Sequence, residues 1–446
     1  MIAKNDELTV TILDLGVNGE GVAKVDGAVV FVPFALPNEV VKIHIIHAKS
    51  HFYVGKIVEI LTPSPMRVTP PCPHFFKCGG CDLQHMNHAC ALNFKTNLVI
   101  NALKNIGKVE NAEQLTLPCI SKNEFYYRNK FSFPVGTNGK YAFVGMYKKN
   151  SHEIIKIENC HIQMPWAKTI IEIFNNFLNT SKNTVYNEQT KQGLIKHLVC
   201  RMENNQLLVC VVVNGNKLNN HEMLIEKLKP HFENFGLMLN VNKLHNNVIL
   251  SNTYKHLYGI KTISLVEDNL KYETTLNSFM QVNSQISNLI YGHVQSMVKN
   301  EIVVNAFSGS GFLSGLLAKT AKHVYGIEIV ESAHLDAETL KTNNNIENLT
   351  NILGDVSEKL KTIKEFNTIV LDPPRKGVSK EVVNTILSVL PKTIIYISCN
   401  PSTLARDVNS LTNHYNIISA QPYDMFPQTK HVETVVKLEL KQQPQF

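Results

Sequence analysis

Apolar and polar residues alternate over short stretches in the N-terminal part of the chain, a pattern that predicts β-strands. The candidate strands are residues 8–13, 28–32, 40–45 and 54–60, and Asn-Gly, Asp-Gly and Pro-Asn turn signals separate them. Four or five strands within about 60 residues favour a small β-barrel of the OB type, a common oligonucleotide-binding fold.

Basic side chains concentrate in and between the third and fourth candidate strands. They are Lys42, His44, His47, Lys49, His51 and Lys56. Folds that bind single-stranded nucleic acid place positive charge along the groove that follows the backbone. The sequence leaves two interpretations open, an RNA-contacting face and a solvated edge of the barrel.

After residue 62 the strand pattern gives way to a proline-rich break and then to mixed signals. The clearest of these are a helix at about 88–106 and a continuous apolar strand at 206–213. From residue 277 strands and helices alternate regularly, which predicts an α/β fold. We therefore predict three domains: an OB-type barrel at 1–62, a mixed α+β central domain at 63–276 and a Rossmann-like domain at 277–446.

A glycine-rich turn follows the first predicted strand of the C-terminal domain. Gly309 and Gly311 let the backbone approach a ligand where the next helix begins. The second strand ends in Glu328, which can hold the two hydroxyls of a ribose, and Asp355 after the third strand could lie near an adenine amino group. Because Ser314 replaces the last glycine of the dinucleotide fingerprint, the pattern favours S-adenosylmethionine over NAD.

Two motifs near the C-terminus each follow an apolar, β-branched run: Asp-Pro-Pro-Arg-Lys-Gly at 372–377 and Ser-Cys-Asn-Pro at 398–401. A helix-like stretch between them completes a strand–helix–strand pattern, which predicts neighbouring parallel strands. Asp372 and Cys399 would then lie at the carboxyl ends of those strands, where open α/β sheets build their sites. A thiol beside a carboxylate favours covalent catalysis. The alternatives are a packing cysteine and a helix-capping aspartate.

Three cysteines follow the proline-rich break in the spacing Cys-x5-Cys-Gly-Gly-Cys, namely Cys72, Cys78 and Cys81. Thiolates this close together suit a metal or an iron–sulfur site. A fourth ligand must come from elsewhere, and the candidates are Cys90, Cys119 and Cys160. A zinc site that uses His74 or His85 is the rival interpretation.

Composition narrows the class of protein. Hydrophobic residues make up 44% and charged residues 18% of the chain, which is ordinary for a globular protein. The net charge of +7 permits an acidic partner such as nucleic acid without requiring one. We expect no membrane span and no secretory signal, because neither kind of apolar segment is present. Nine cysteines, an odd number, fit a reducing cytoplasm better than a disulfide framework.

With these residues in place, the whole chain resembles the bacterial ribosomal-RNA uracil-C5-methyltransferases, in particular the subgroup with a TRAM domain and a [4Fe-4S] cluster. The resemblance rests on the cysteine spacing, on the motifs at 372–377 and 398–401, on His-Val-Glu-Thr at 431–434 and on Ser-Phe-Met-Gln-Val-Asn at 278–283. It implies that the C-terminal domain is an S-adenosylmethionine methyltransferase domain and that the cluster lies in the central domain. The implied partner is 23S ribosomal RNA.

The resemblance also implies a role for each site residue. Cys399 is the nucleophile, Glu433 is the base and Asp372 binds the edge of the uracil. The implied contacts to S-adenosyl-L-methionine are Gln281, Phe307, Gly309, Gly311, Phe312, Glu328, Asp355 and Asp372. The implied cluster ligands are Cys72, Cys78, Cys81 and Cys160. Two positions depart from the family pattern, which usually has Asp in place of Asn305 and Asn or Thr in place of Phe312.

Further expectations concern RNA and the rival functions. Arg375 and Lys376 could hold a phosphate, and Tyr-Arg-Asn-Lys at 127–130 is a basic and aromatic candidate for RNA contact. An N-methyltransferase would show an aromatic residue in place of Arg375 and would not need the thiol. A non-enzymatic RNA-binding protein would not need the thiol or Glu433. A transfer-RNA uracil methyltransferase is the nearest alternative, and the barrel with its cysteines favours ribosomal RNA.

Overall fold

The computed structural model describes residues 2–442, and its N-terminal part is a six-stranded sheet. The strands are β1 (Glu7–Thr11), β2 (Asp14–Leu15), β3 (Gly21–Val25), β4 (Ala28–Val32), β5 (Val40–Ala48) and β6 (Phe52–Thr62), in the spatial order β1-β5-β6-β4-β3-β2. The amide of Ile12 donates to Glu39 beside β5, while the amide of Leu13 donates to Val22 in β3. The chain from β1 to β2 therefore joins both edges of the sheet and closes it into a barrel, as the turn pattern predicted.

The barrel core consists of the inward-facing apolar residues of alternating strand positions, such as Val41, Ile43 and Ile45 of β5. The intervening basic side chains consequently lie on the outer face. The ammonium of Lys42, one of these side chains, lies 2.7 Å from a carboxylate oxygen of Glu7, so its charge is partly neutralised.

The middle of the chain forms a second sheet with helices on one face. The chain first forms α1 (His88–Asn105) and α2 (Ala112–Leu115). The elements of the sheet and of the helices on its face then follow: β7 (Lys130–Thr137), β8 (Ala142–Tyr147), β9 (Ile154–Lys156), α3 (Trp166–Thr180), β10 (Ile195–Glu203), β11 (Gln206–Val213), α4 (His221–Leu228), β12 (Asn234–Val241), β13 (Tyr254–Gly259), β14 (Ile263–Glu267) and β15 (Leu270–Thr274). The seven-stranded sheet has the order β13-β12-β11-β10-β7-β8-β9, and β14 pairs with β15 as a separate hairpin.

The central strand β11 explains the continuous apolar run at 206–213. Its residues Val209 and Val211 pack in one buried cluster with α3 and α4, whereas Cys210 and Val212 pack in another with the β14–β15 hairpin. A strand that is buried on both faces needs no polar alternation.

The C-terminal part is a third, seven-stranded sheet. Its elements are α5 (Ser284–Ser296), β16 (Ile302–Ala306), α6 (Phe312–Ala318), β17 (His323–Glu328), α7 (Glu331–Asn343), β18 (Leu349–Leu353), α8 (Val356–Lys359), β19 (Thr368–Leu371), α9 (Lys380–Val389), β20 (Thr393–Ser398), α10 (Pro401–Asn409), β21 (Tyr415–Tyr423) and β22 (Glu433–Leu440). The strand order is β18-β17-β16-β19-β20-β22-β21, with β22 antiparallel to both neighbours and the first five strands parallel.

The predicted helix at 88–106 forms, but its packing partner is the C-terminal sheet. Val99 and Leu103 of α1 lie in the same buried cluster as Leu404 of α10. Thr116 and Ile120 then make isolated parallel bridges to β21. Residues 88–120 are therefore structurally attached to the C-terminal sheet, and domain boundaries at 62 and 276 stay a proposal.

Candidate active site

Three chemically distinctive residues meet at one edge of the C-terminal sheet. Asp372 directly follows β19 and Cys399 directly follows β20, and these two strands are parallel neighbours. Glu433 is the first residue of β22, which runs antiparallel to β20 with Ser398 opposite Thr434. Since an antiparallel strand begins where its neighbour ends, the carboxylate of Glu433 and the thiol of Cys399 belong to the same sheet edge.

Burial sets the protonation behaviour of the two acids. Glu433 is only 4% exposed, and this burial, together with the charge of Asp372, raises its pKa well above the ordinary value. Burial also raises the pKa of Asp372 to about 7. A carboxyl with a pKa near 7, such as that of Asp372, can take up a proton near neutral pH.

The thiol belongs to the same electrostatic cluster. Burial raises the pKa of Cys399, and the charges of Glu433 and Asp372 raise it further. Arg375 acts in the opposite direction and lowers the pKa of both Cys399 and Glu433. The backbone oxygen of Arg375 accepts hydrogen bonds from the side-chain amide of Asn400 at 3.4 Å and from the hydroxyl of Thr403 at 3.2 Å. The loop that contains Arg375 is therefore held against the start of α10.

The helix-capping alternative for Asp372 does not describe the structure. The cap of α9 is Ser379, whose side chain accepts from the amide of Val382. Asp372 instead ends β19, where its amide donates to Ala306 at 3.4 Å. The carboxylate is therefore available to a ligand at the sheet edge.

The residues predicted to bind a nucleoside lie at the ends of β16 and β17. Phe307, Gly309 and Gly311 have positive φ values of 63°, 55° and 82°, which fold the backbone into a tight turn before α6. The carboxylate of Glu328 accepts from the amides of Gly309 and Val330, each at 2.8 Å. The predicted ribose acid is thus fixed directly beside the predicted glycine turn.

Asp355 and Gln281 are two further residues predicted to contact the cofactor. Asp355 follows β18 and caps α8 by accepting from the amide of Ser357 at 2.8 Å. That hydrogen bonding lowers the pKa of Asp355. Gln281 lies between β15 and α5, and its backbone oxygen accepts from buried Asn129 at 3.2 Å.

The two departures from the family pattern have local structural explanations. The side-chain amide of Asn305 donates to Ser314 at 2.8 Å across the turn. The ring of Phe312 packs against Tyr272 and Tyr291, with centroid separations of 4.8 and 5.8 Å. Phe312 therefore joins α6 to α5 and to the β15 hairpin through aromatic contacts.

Sequence reasoning missed two further candidates, Tyr291 beside the two acids and the exposed Phe279. Burial and the charges of Asp372 and Glu433 raise the pKa of Tyr291, which places its hydroxyl in the same electrostatic cluster. Phe279, two positions before Gln281, is 74% exposed. The signal for Phe279 was present, because it lies in the quoted motif at 278–283. No sequence pattern indicated a role for Tyr291, because an aromatic residue in an amphipathic helix looks like an ordinary core residue.

The motif at 127–130 is not the RNA-facing surface that we expected. Tyr127 and Asn129 are buried, and the ammonium of Lys130 donates to the backbone oxygen of Leu276 at 2.6 Å. This segment connects the central sheet to the C-terminal domain instead. Its basic and aromatic side chains serve internal packing.

The four predicted cluster cysteines line one cavity of about 160 Å³. Three polar atoms in its wall are buried without a hydrogen-bond partner: Nε of Arg128, Oγ of Ser132 and Oε1 of Gln163. His74 also lines the cavity, whereas His85 stacks on Phe75. Within residues 2–442, no three His, Cys, Asp or Glu side chains converge as the ligands of one metal ion.

The parallel sheet with an antiparallel β22, and the glycine turn with Glu328 beside it, fit the class of an S-adenosylmethionine-dependent methyltransferase. The family model for tRNA (uracil-5-)-methyltransferases matches residues 103–441, and the TRAM domain model matches residues 4–58. The chain therefore belongs to the tRNA (uracil-5-)-methyltransferase family and carries an N-terminal TRAM domain. It is an S-adenosylmethionine-dependent RNA methyltransferase, which confirms the expected family.

Individual proteins agree with this assignment. The chain is 37% identical over 446 residues to an uncharacterized RNA methyltransferase of Staphylococcus epidermidis, with 97% of each chain covered. It is 36% identical over 452 residues to one of Staphylococcus aureus, with 99% of each covered. It is also similar to the crystal structure of Pyrococcus abyssi tRNA (uracil-54, C5)-methyltransferase in complex with S-adenosyl-L-homocysteine, at 26% identity and a TM-score of 0.77. That match covers 97% of this chain and 100% of the other.

Finally, none of the helices within residues 2–442 is long and apolar enough to cross a membrane.

Proposed function

We propose that this enzyme methylates C5 of a specific uridine in 23S ribosomal RNA through a covalent adduct between Cys399 and C6 of the uracil. The observation that carries this proposal is the pairing of Ser398 with Thr434, which brings the thiol and the carboxylate of Glu433 to one edge. Nine free cysteines in the chain fit a reducing cytoplasm as the place of action.

Uracil needs this pair of groups because its C5 is a poor nucleophile. Addition of the Cys399 thiolate to C6 makes C5 enolate-like, and C5 then attacks a sulfonium methyl. S-adenosyl-L-methionine supplies that electrophilic methyl group when it is bound. Glu433 removes the proton from C5, the C5–C6 double bond re-forms, and the thiolate leaves.

The electrostatics suit the two proposed roles. A carboxylate whose pKa is raised by burial is a stronger base, as proton removal from C5 requires. Burial and the two carboxylates raise the pKa of Cys399, and Arg375 opposes this shift and so favours the thiolate that acts as nucleophile. Asp372, with a pKa of about 7, can exchange a proton at neutral pH and so hydrogen-bond either a carbonyl or an N–H of the uracil edge.

The residues around the glycine turn fit S-adenosyl-L-methionine. Glu328 has its carboxylate fixed beside Gly309, where a ribose would need it. A Cβ placed on Gly309 would meet no heavy atom within 4 Å, so the turn faces open space. Gln281, Phe307, Gly311, Phe312, Asp355 and Asp372 complete the proposed contact set. Access of the uridine is served by Phe279, since an exposed aromatic ring can stack on a base that has left its helix.

We also propose that Cys72, Cys78, Cys81 and Cys160 hold a [4Fe-4S] cluster. All four are free thiols around one cavity, which is the ligand type that such a cluster uses. The unpartnered donors of Arg128 and Ser132 fit a group rich in sulfur acceptors. Burial raises the pKa of Cys81 and Cys160, the latter to about 11, so binding of a metal centre would release protons from these thiols.

Transfer RNA is the second candidate substrate, and one observation favours it. The Pyrococcus abyssi transfer-RNA enzyme aligns over 97% of this chain. An N-terminal barrel therefore does not exclude a transfer-RNA substrate, contrary to our expectation. The proposal of 23S ribosomal RNA rests on the resemblance, and the experiment must distinguish the two.

The test uses the purified enzyme, S-adenosyl-L-methionine and separate pools of 23S ribosomal RNA and transfer RNA that contain 5-fluorouridine. Fluorine replaces the proton that Glu433 removes, so the reaction should stop after methyl transfer with Cys399 bound to C6. We expect a denaturation-resistant adduct with 23S ribosomal RNA that is lost in Cys399→Ala. An adduct with transfer RNA alone would overturn the ribosomal target, and no adduct with either pool would overturn the covalent mechanism.

The cluster is tested by iron and sulfide content and by the visible spectrum after anaerobic purification. We expect Cys81→Ala and Cys160→Ala to lose iron. The matched control is Cys90→Ala, because Cys90 is also a buried free cysteine but lies outside the wall of the cavity. Zinc in the wild-type protein, or iron retained in Cys160→Ala, would contradict the proposed ligand set.

A further inference from the structure

The segment 424–432 connects β21 to β22 and leads directly to Glu433. It contains no helix or strand, yet several of its residues are buried. These are Asp424, Met425, Gln428, Thr429 and Val432. Buried backbone outside regular structure must find its hydrogen-bond partners elsewhere.

Some of those partners directly neighbour Cys81 and Arg128 of the cavity wall in sequence, and others are Lys95, Ile120 and Asn283. The amides of Asp82 and Leu83, which directly follow Cys81, both donate to the backbone oxygen of Gln428, at 2.9 and 3.1 Å. The hydroxyl of Tyr127 donates to the backbone oxygen of Pro427 at 2.9 Å. The tyrosine ring packs with Cys81 in one buried cluster, so the wall and the segment form a continuous structure.

A second layer of contacts supports the same segment. The guanidinium of Arg128, in the cavity wall, lies 5.8 Å from the ring of Phe426. That ring in turn makes an edge contact with His431 at 6.2 Å, two residues before Glu433. The cavity is thus linked to the base through side chains as well as through the backbone.

The conformation of the segment depends on these contacts. Gln428 has a φ of +66°, in the left-handed region that residues other than glycine rarely adopt. Such a conformation persists only where the surroundings determine it. The donors from Asp82 and Leu83 act on the carbonyl of this same residue.

We propose that Tyr127 is a positioning residue for Glu433, and that the wall of the cysteine cavity holds the 424–432 segment so that the carboxylate stays at the sheet edge. The inference rests on the proposed function of Glu433 as the base. Cys399 and Asp372 are carried by other strands, so loosening the segment affects proton removal more than thiol addition or methyl transfer.

Because only proton removal is slowed, a particular intermediate should accumulate. After methyl transfer, C5 carries both the new methyl group and its proton, and C6 is bonded to the sulfur of Cys399. Removal of the proton sends its electron pair into the C5–C6 double bond and breaks the C–S bond. A displaced base slows this step alone, so the methylated adduct accumulates even with ordinary uridine.

The test compares Tyr127→Phe with Tyr126→Phe on RNA with ordinary uridine. The second variant is a matched control, since Tyr126 is the adjacent tyrosine and its hydroxyl faces His161 at 3.4 Å rather than the segment. We expect Tyr127→Phe to accumulate the denaturation-resistant, methylated adduct and to turn over roughly threefold to tenfold more slowly, the effect of one lost hydrogen bond. We expect Tyr126→Phe to match the wild-type enzyme.

Glu433→Gln separates this inference from the proposed function. If Glu433→Gln accumulates the adduct but Tyr127→Phe does not, the positioning role is wrong and the covalent mechanism stands. If Glu433→Gln accumulates none, the proposed function of Glu433 fails first. Should Tyr127→Phe not fold, Phe426→Leu tests the same segment from its other side, with the same adduct expected, and its absence there overturns the inference.

Discussion

Ser398 and Thr434 lie directly opposite each other on the antiparallel strands β20 and β22. This register is what makes Cys399, one residue after Ser398, a neighbour of Glu433, one residue before Thr434. A shift of one residue would turn every side chain of β22 to the other face of the sheet. The active site therefore depends on strand pairing between segments that are distant in sequence.

Arg375 should set the pH at which the thiol becomes active. Because its charge lowers the pKa of both Cys399 and Glu433, Arg375→Gln should raise both pKa values. We expect the rising limb of the single-turnover rate to move upward by roughly half a pH unit to one pH unit, the effect of an exposed cation on its neighbours.

Lys376→Gln is the control for this prediction, because the charge of Lys376 lowers the pKa of Asp355 and does not contribute to that of Cys399. Its pH profile should coincide with that of the wild-type enzyme. An unchanged profile in Arg375→Gln would mean that the guanidinium serves only to bind phosphate.

Glu328 should dominate the affinity for the cofactor. Charged hydrogen bonds contribute about 1.5–3 kcal/mol, so Glu328→Gln should weaken binding of S-adenosyl-L-homocysteine by roughly 10- to 100-fold. Isothermal titration calorimetry measures this directly. The control is Glu331→Gln, because Glu331 is an exposed acid three residues later, and this variant should bind as the wild-type enzyme does. If the wild-type enzyme and both variants bind with equal affinity, Glu328 does not contact the ribose.

The ion pair of Lys95 with Asp424 should be a major contribution to stability. Lys95 is fully buried, and its ammonium contacts the carboxylate of Asp424 and the backbone oxygen of Phe426. Removing one partner of a buried pair leaves an uncompensated charge, so Lys95→Met should lower the free energy of unfolding by roughly 3–5 kcal/mol.

The same helix supplies the control for that measurement by urea denaturation. Lys104 pairs with Glu113, and both side chains are about half exposed. Lys104→Met should therefore cost less than about 1 kcal/mol. The double variant Lys95→Met/Asp424→Leu should recover much of the loss. A loss in Lys95→Met no larger than that in Lys104→Met would contradict a buried charge pair.

Asp372 should destabilise the folded protein at alkaline pH. Its folded pKa of about 7 lies above its ordinary value of 3.8, so the folded state binds more protons between those two pH values. The free energy of unfolding falls as pH rises through this interval, and above pH 7 the full penalty is present. Asp372→Asn should thus raise the Tm at about pH 8 and leave it nearly unchanged at about pH 4.

Asp355 provides a comparison of opposite sign. Its pKa is lowered by the hydrogen bonds from Ser357, so its ionised form stabilises the folded state at neutral and higher pH. Asp355→Asn should lower the Tm at about pH 8. If both variants shift the Tm in the same direction, burial is not the cause of the raised pKa of Asp372.

The sequence by itself determined the elements, the class of fold and the candidate residues. Local patterns were enough for the helix at 88–105, the strand at 206–213 and the alternation after residue 277, because these patterns reflect whether one face or both faces of an element are buried. The motifs around Asp372 and Cys399 followed strands as predicted, since a β-branched run and a proline-containing turn mark a strand end locally.

Only the tertiary structure decided which elements meet. No local pattern shows that α1 packs on the C-terminal sheet, that Tyr127 is buried, or that the amides after Cys81 hold the segment before Glu433. One of these contacts, between Tyr127 and Pro427, joins residues 300 positions apart. These contacts depend on the shapes of surfaces that exist only once each sheet has formed. For this reason the cysteines and the base could be predicted from the sequence, but the contacts that link them could not.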